Sequence, residues 1–192
     1  AQAMQADMVA LRAAWQGTPF ADVQLRIGLH TGEAAVGHLG SHERFTYTAV
    51  GDAVNTASRL EGANKVFGTG ILLSGATRSA LPDSGPESAR LLWLDTVVLS
   101  GRSAGIDVFC VSTDAALVAI SEALHGHLQA GAWARALQCC DDWLAHARSQ
   151  APQWLAHAEQ VHRRVQALAH ADSAAQDTPV LNVFSARALD KS

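Results

Sequence analysis

Two polar side chains at helical spacing are the first candidates for chemistry in this sequence of 192 residues. Asn55 and Arg59 lie four residues apart in a segment that follows Gly51. Residues at that spacing project from one face of a helix. A neutral amide beside a permanent cation suits a sugar and a phosphoryl group. An ordinary polar helix surface explains the spacing equally well, because polar i,i+4 pairs are common.

The elements that would position this pair are predicted from the residues on either side of it. Residues 45–50 are rich in β-formers and predict a strand that breaks at Gly51. Asp52 is predicted to cap a helix by accepting from the N–H groups of its first turn. That helix is predicted to run to about Lys65, because glycines follow soon after it.

The surrounding pattern predicts further strands and helices. Apolar residues at helical spacing over 4–15 predict an amphipathic helix, and alternation over 23–29 predicts a half-buried strand. Polar residues 41–44 predict a hairpin turn. Downstream, the pattern predicts a buried strand, a short helix and two more strands, at 71–73, 76–81, 91–99 and 106–111. Hairpins and helical crossovers together predict an α+β domain with a mostly antiparallel sheet.

The composition becomes rich in alanine after about Ser112. Helices are predicted at about 114–130, 133–149 and 152–170, with a pair that resembles a tetratricopeptide-like hairpin. Residues 171–178 are predicted to be a flexible linker, and the apolar stretch 179–184 either docks back or belongs to a disordered tail. The predicted divisions are a first domain at 1–112, a helical extension at 113–170 and a tail at 171–192.

Composition excludes several classes of protein. The formal net charge of −4 argues against nucleic-acid binding, which normally requires a basic face. The sequence contains no run of 18 apolar residues and no secretory signal, so no membrane contact is expected from this segment. Three cysteines without a disulfide pattern favour reduced thiols and a cytoplasmic location. The sequence begins in a helical pattern without methionine, and we expect it to come from a longer protein. An N-terminal region of that protein could anchor it in a membrane.

Two sequence blocks carry a resemblance to a known family. The first is Leu25-Arg-Ile-Gly-Leu-His-Thr-Gly-Glu33, and the second is Tyr47-Thr-Ala-Val-Gly-Asp-Ala-Val-Asn-Thr-Ala-Ser-Arg-Leu-Glu61. Their order and separation resemble the catalytic domain of class III adenylate/guanylate cyclases, over about residues 1–112. The resemblance implies a ferredoxin-like cyclase fold, of which this sequence would contain the C-terminal portion.

The resemblance implies roles for four residues. Asn55 and Arg59 match the family residues that position the ribose and stabilise charge on the phosphates in the transition state. Thr48 matches the position that helps to select the purine, and a threonine there resembles bacterial adenylate cyclases; a threonine favoured only by β-propensity is the alternative. Arg102 follows Ser100 and Gly101 where the family often has Lys-Gly-Lys on the triphosphate, so a solvated turn residue is equally compatible with Arg102.

The same resemblance implies the reaction and its cofactors. The complete enzyme would convert ATP to cyclic AMP and pyrophosphate with two Mg²⁺ or Mn²⁺ ions, in a homodimer whose sites lie between subunits. The family's metal-binding aspartates and base-contacting lysine precede the region that matches residue 1, so no metal ligand is assigned in this sequence. We therefore expect the isolated chain to be inactive.

Two alternatives to this interpretation are weighed on the residues. His125, His127, Cys139 and Cys140 lack the spacing of zinc ligands, and we interpret them as helix residues. The other alternative is a catalytically degenerate cyclase-like module for dimerisation or regulation. Ser100 in place of a basic residue favours that module, whereas the intact Thr48, Asn55 and Arg59 favour the enzyme.

Overall fold

A computed structural model describes the backbone of residues 1–41, 44–82, 90–99 and 104–174. Helices and strands are mixed along the chain, and both parallel and antiparallel strand pairs occur. The predicted α+β class and the C-terminal helices are therefore confirmed. Contacts group the chain into two compact units that adjoin in sequence at Leu81 and Pro82. None of the described helices is long and apolar enough to cross a membrane.

The first unit combines a parallel strand pair, a hairpin and helices. Its described elements are α1 Gln2–Ala14, β1 Ile27–Leu29, β2 Ala35–Ser41, β3 Arg44–Val50, α2 Asp52–Phe67, β4 Ile71–Ser74 and α3 Gly75–Ala80. β1 pairs in parallel with β4, and β2 pairs with β3 in an antiparallel hairpin. α2 packs on β1 and β4 through one stripe at helical spacing, formed by Thr56, Leu60, Ala63 and Asn64.

β1 is shorter than the sequence predicts. The alternating pattern begins at Val23, but the strand begins at Ile27. Its partner β4 has only four residues, and the Ile27 N–H already donates to the carbonyl of Gly70, which precedes β4. Residues 23–26 have no ladder partner in the described chain, so alternation alone overestimated the strand.

α1 forms as predicted, but its apolar residues do not form part of a core in the described unit. The helix has no buried residue, and Met4 and Leu11 are 51% and 43% exposed. The Gln5 side chain connects α1 to the rest of the unit, since its Nε2 donates to the carbonyls of Leu25 and Gly70 at 2.8 and 2.9 Å. Polar contacts therefore contribute to the position of α1.

The second unit packs a strand pair with three helices. Its described elements are β5 Leu91–Val97, β6 Ile106–Val111, α4 Ala115–Gln129, α5 Trp133–Ser149 and α6 Leu155–Ala174, with a 3₁₀ turn at Pro152–Trp154. β5 and β6 are antiparallel, with a bulge between Trp93 and Asp95. Successive helices contact each other, and α4 also contacts β5. The three predicted helices and both predicted strands are confirmed.

Tryptophan and cysteine side chains occupy the core of the second unit. Trp143 is fully buried, and its ring centroid lies 5.6 Å from that of His157. Cys110 and Cys140 are buried free thiols. Burial raises the pKa of Cys110 to about 12. The thiol is therefore protonated at neutral pH and unreactive.

Several sequence predictions fall beyond the description or at its edges. Residues 42 and 43 of the predicted hairpin turn and Arg102 lie outside the described residues. Residues 171–174 belong to α6, so the predicted linker does not begin at residue 171. Residues 175–192, which include the predicted tail, also lie outside the description. The domain divisions at 112 and 170 remain predictions.

Candidate functional site

The structure places Asn55 and Arg59 on α2, outside its buried stripe. Asn55 is exposed and Arg59 is half-buried, whereas the neighbouring Thr56 and Leu60 are both buried. In the described chain, no hydrogen bond or ion pair is made by the side-chain amide of Asn55 or by the Arg59 guanidinium. An amide and a cation one helical turn apart are thus both available to a ligand.

The middle of α2 is held against β1 at unusually close range. A Cβ atom added to Gly28 would lie 2.1 Å from the Ala57 carbonyl oxygen and 2.4 Å from the Glu61 nitrogen. Only glycine permits this approach of strand and helix. Ala57 lies between Asn55 and Arg59 in sequence, so the contact fixes the stretch of helix that carries both.

Polar contacts hold the second half of α2. The buried Asn64 side chain donates from Nδ2 to the Ile27 carbonyl at 3.1 Å and accepts from the Thr69 hydroxyl at 2.8 Å. The Arg26 guanidinium donates to a Glu61 carboxylate oxygen at 2.7 Å. A buried amide with satisfied partners specifies one register between β1 and α2.

Gly51 makes the turn from β3 into α2. Its φ is 151°, a conformation that favours glycine, and an added Cβ would lie 3.2 Å from the Glu33 carbonyl oxygen. Gly51 occupies the N-cap position and Asp52 is the first helical residue, so the predicted cap position of Asp52 is wrong by one residue. The turn requires glycine at the cap, and the helix therefore begins one residue earlier. The Asp52 carboxylate still lies near the positive end of the helix dipole.

Thr48 lies on β3 opposite Gly37 of β2. The threonine is half-buried, and a Cβ added to Gly37 would meet no atom within 4 Å. Directly opposed residues on paired strands project from the same face. The Thr48 side chain therefore lies beside a position at which an added methyl group would meet no atom. No hydrogen bond or ion pair joins Thr48 to Asn55 or Arg59 in the described chain.

The described residues do not contain a ligand set for a metal. Nowhere in residues 1–41, 44–82, 90–99 and 104–174 do three His, Cys, Asp or Glu side chains come together to hold an ion. His125 instead lies 3.2 Å from an Asp107 carboxylate oxygen and stacks on Trp93 at 4.9 Å. The described residues do not fit the Mg²⁺ or Mn²⁺ ions that the resemblance implies, and no step below is derived through them.

One cavity of the first unit lies away from Asn55. A cavity of about 400 Å³ lies at the other end of α2, and its lining includes Gln5, Arg12, Arg26, Asn64 and Lys65. None of Thr48, Asn55 and Arg59 lines it. Asn64 and Arg26 already have partners, and cations suit the negative end of a helix. We therefore place the candidate site by the chemistry of α2 and not by cavity volume.

Sequence patterns did not reveal two of the residues that support α2. Asn64 sits on the apolar stripe of α2, and a polar residue on a buried stripe is the only local signal that it has a structural partner. His30 lies in the first sequence block, but its hydrogen-bond partner Ser74 is 44 residues away. Contacts at that separation leave no pattern in a single sequence.

Comparison with known proteins assigns the family. A family model described as the adenylate and guanylate cyclase catalytic domain matches residues 1–111. This match covers more than half of the chain, and the protein therefore belongs to the class III adenylate/guanylate cyclase family.

Individual relatives agree with this assignment. Adenylate cyclase 1 of Rhizobium meliloti (strain 1021) is 39% identical over 109 residues, which are 57% of this chain and 16% of that protein. An adenylate cyclase of Anabaena cylindrica is 36% identical over 88 residues, 45% of this chain and 17% of that protein. The chain thus spans less than a fifth of these relatives. A solved bacterial light-regulated adenylyl cyclase has a TM-score of 0.47 at 20% identity, covering 62% of this chain and 34% of that one.

Proposed function

We propose that this chain is part of an adenylate cyclase that converts ATP to cyclic AMP and pyrophosphate in signal transduction. The observation that carries the proposal is the pair Asn55 and Arg59, which α2 presents without partners in the described chain. The relatives from Rhizobium meliloti and Anabaena cylindrica are both named as adenylate cyclases, which supports ATP as the substrate.

The reaction makes one phosphorus–oxygen bond and breaks another. The ribose 3′-hydroxyl oxygen attacks the α-phosphorus, its proton is released to the solvent, and pyrophosphate leaves with the bridging oxygen. Negative charge grows on the α-phosphoryl oxygens and on the leaving group. Arg59 is proposed to meet this charge with its fixed guanidinium, and Asn55 is proposed to hold the ribose by amide hydrogen bonds. Neither residue removes the proton.

Base selection is proposed for Thr48. Its hydroxyl is able to accept from the adenine amino group or to donate to a ring nitrogen. The open space beside Gly37 supports this role, because a purine needs room next to the strand. Arg102 is proposed as a phosphate contact on the resemblance alone. A homodimer formed through the cyclase domain is also proposed on the resemblance alone.

The proposal is tested by the products that the complete protein makes from mixed ATP and GTP. We expect a higher kcat/KM for ATP, and Thr48→Ala should reduce the ratio of the two values. Thr46→Ala is the matched control, since Thr46 is exposed on the same strand and on the same face. The isolated chain of 192 residues is expected to form no cyclic nucleotide.

Each outcome has a definite meaning. A preference for GTP would contradict the assignment of ATP. An unchanged ratio in the Thr48→Ala variant would remove Thr48 from base selection. Absence of product from both nucleotides with the complete protein would favour the degenerate regulatory module, for which Ser100 in place of a basic residue is the supporting observation.

A further inference from the structure

We propose that His30 is a positioning residue, which sets the first turn of α2 and thereby Asn55 through its hydrogen bond to Ser74. The catalytic consequence of this inference rests on the proposed function. The structural consequence does not, because it concerns only how α2 is held.

The first turn of α2 rests on residues 30–34. A Cβ added to Gly32 would lie 3.0 Å from the Ala53 Cβ, so this segment touches the second residue of the helix. A Cβ added to Gly51, which precedes the helix, would lie 3.2 Å from the Glu33 carbonyl oxygen. The Asn55 N–H donates to the Gly51 carbonyl at 3.3 Å. A shift of residues 30–34 is therefore transmitted directly to the turn that carries Asn55.

Residues 30–34 belong to no helix or strand, and two side-chain hydrogen bonds tie the start of this segment to residues 74 and 77. The His30 Nδ1 atom and the Ser74 Oγ atom are hydrogen-bonded at 2.8 Å. A second anchor runs beside it, because the Thr31 hydroxyl donates to the Thr77 hydroxyl, which donates to the Leu29 carbonyl, both at 3.3 Å. The bond between His30 and Ser74 is the shorter of the two anchors.

Ser74 is a fixed point from which to hold this segment. It is 1% exposed, ends β4, and caps α3 by accepting from the Thr77 N–H at 3.2 Å. β4 in turn pairs with β1 and contacts α2. The path from the buried strand to Asn55 thus passes through Ser74, His30 and the segment that follows.

The test compares two amide substitutions at position 30 in the complete protein. His30→Asn places an amide near the position of Nδ1 and keeps a partner for Ser74, whereas His30→Gln places its amide near Nε2 and loses that partner. Misplacing a reacting group by about 1 Å costs on the order of 100-fold in rate. We therefore expect His30→Gln to lower kcat by about 10- to 100-fold with little change in KM, and His30→Asn to retain most of the rate.

Hydrogen exchange of the Asn55 backbone N–H provides a readout that does not depend on enzyme activity. It should accelerate in His30→Gln and not in His30→Asn. If the wild type makes no cyclic nucleotide, the proposed function fails, and the exchange rates still decide the positioning role. Unchanged Asn55 exchange in His30→Gln, or equal losses in both variants, would overturn the inference.

A second variant approaches the same bond from its other partner. Ser74→Gly removes the hydroxyl, and glycine is better tolerated than alanine in place of a serine cap. If both substitutions act through one bond, the double variant with His30→Gln should be no slower than the slower single variant. Fully multiplicative losses would show that His30 and Ser74 act independently, and would contradict the inference even if one variant folds poorly.

Discussion

The side chains of Arg59 and Asn55 make no hydrogen bond or ion pair within the described chain. Thr56 and Leu60, each one residue further along, are fully buried against the sheet. A half-buried guanidinium without an acidic partner in the described chain retains its full charge for a ligand. This combination favours a role in binding phosphoryl oxygens over a role in stability.

The first prediction at this scale concerns Arg59→Ala in the complete protein. Loss of a fixed cation at the developing charge should lower kcat by about 10²–10³-fold and change KM far less. Steady-state cyclase assays measure both constants. Arg135→Ala is the control, because Arg135 is an exposed arginine on α5. A kcat within about twofold of wild type for Arg59→Ala would remove Arg59 from the mechanism.

Single residues show where sequence reasoning succeeds and where it stops. Asn55 and Arg59 were predicted to share a helix face because the spacing of four residues is a local property. Asp52 was assigned the cap position that Gly51 occupies, since the local sequence shows neither the positive φ of Gly51 nor its approach to Glu33. The partnership of His30 with Ser74 depends on the pairing of β1 and β4 across the chain.

Among the elements, β1 and α2 form the pair on which the candidate site depends. Their backbones touch at Gly28, and Asn64 and Arg26 fix the register further along. The sequence predicted both elements, but it overestimated β1 by four residues and could not show that Gly28 is the point of contact. Strand length depends on the partner strand, which a local pattern does not include.

The second prediction compares two glycine substitutions on this element pair. Gly28→Ala forces a methyl group into the α2 backbone, and we expect a loss of at least about 1–3 kcal/mol of stability, the usual cost of overpacking. Gly62→Ala is the matched control, because Gly62 is inside α2 and an added Cβ would meet no atom within 4 Å. It should gain about 0.5–1 kcal/mol from helix propensity.

Urea denaturation of each variant measures this difference as a shift of the midpoint. The two alanine variants should shift in opposite directions. A Gly28→Ala variant as stable as wild type would show that α2 and β1 do not approach as closely as the structure indicates, and the argument that β1 positions Asn55 and Arg59 would fail with it.

At the scale of the whole molecule, the helices that follow the family-matched residues 1–111 contact strands of the matched region within the second unit. The bulge in β5 leaves the Leu94 carbonyl out of the ladder register, and His157 on α6 donates to it from Nε2 at 3.0 Å. Arg164, also on α6, donates to an Asp95 carboxylate oxygen at 2.6 Å. The helices are therefore integral to the packing of β5.

Burial perturbs both titratable groups at this junction. It raises the pKa of Asp95 to about 6, although the adjacent Arg164 guanidinium lowers it. It lowers the pKa of His157 to about 4. Buried charge is costly even when paired, and the second carboxylate oxygen of Asp95 has no partner in the described chain. Compared with the unfolded state, the folded state thus favours the neutral forms of Asp95 and His157.

These two shifts affect stability in opposite directions over nearly the same pH range. Between about pH 4 and 6 the folded state binds more protons at Asp95 than the unfolded state does, so this contribution to stability falls as pH rises. Between about pH 4 and 6.5 the unfolded state binds more protons at His157, so that contribution rises with pH. The pKa changes of Asp95 and of His157 each correspond to about 3 kcal/mol of stability.

The third prediction follows from this opposition. His157→Gln keeps a donor for Leu94 but removes the titration, so its stability relative to wild type should increase by up to about 3 kcal/mol as pH falls from 6.5 to 4. The stability of Asp95→Asn relative to wild type should instead decrease as pH falls from 6 to 4. Denaturation at a series of pH values measures both differences, and the double variant should follow the wild-type pH dependence. Parallel trends in the two single variants would contradict the burial of this junction, and with it the packing of α6 on β5.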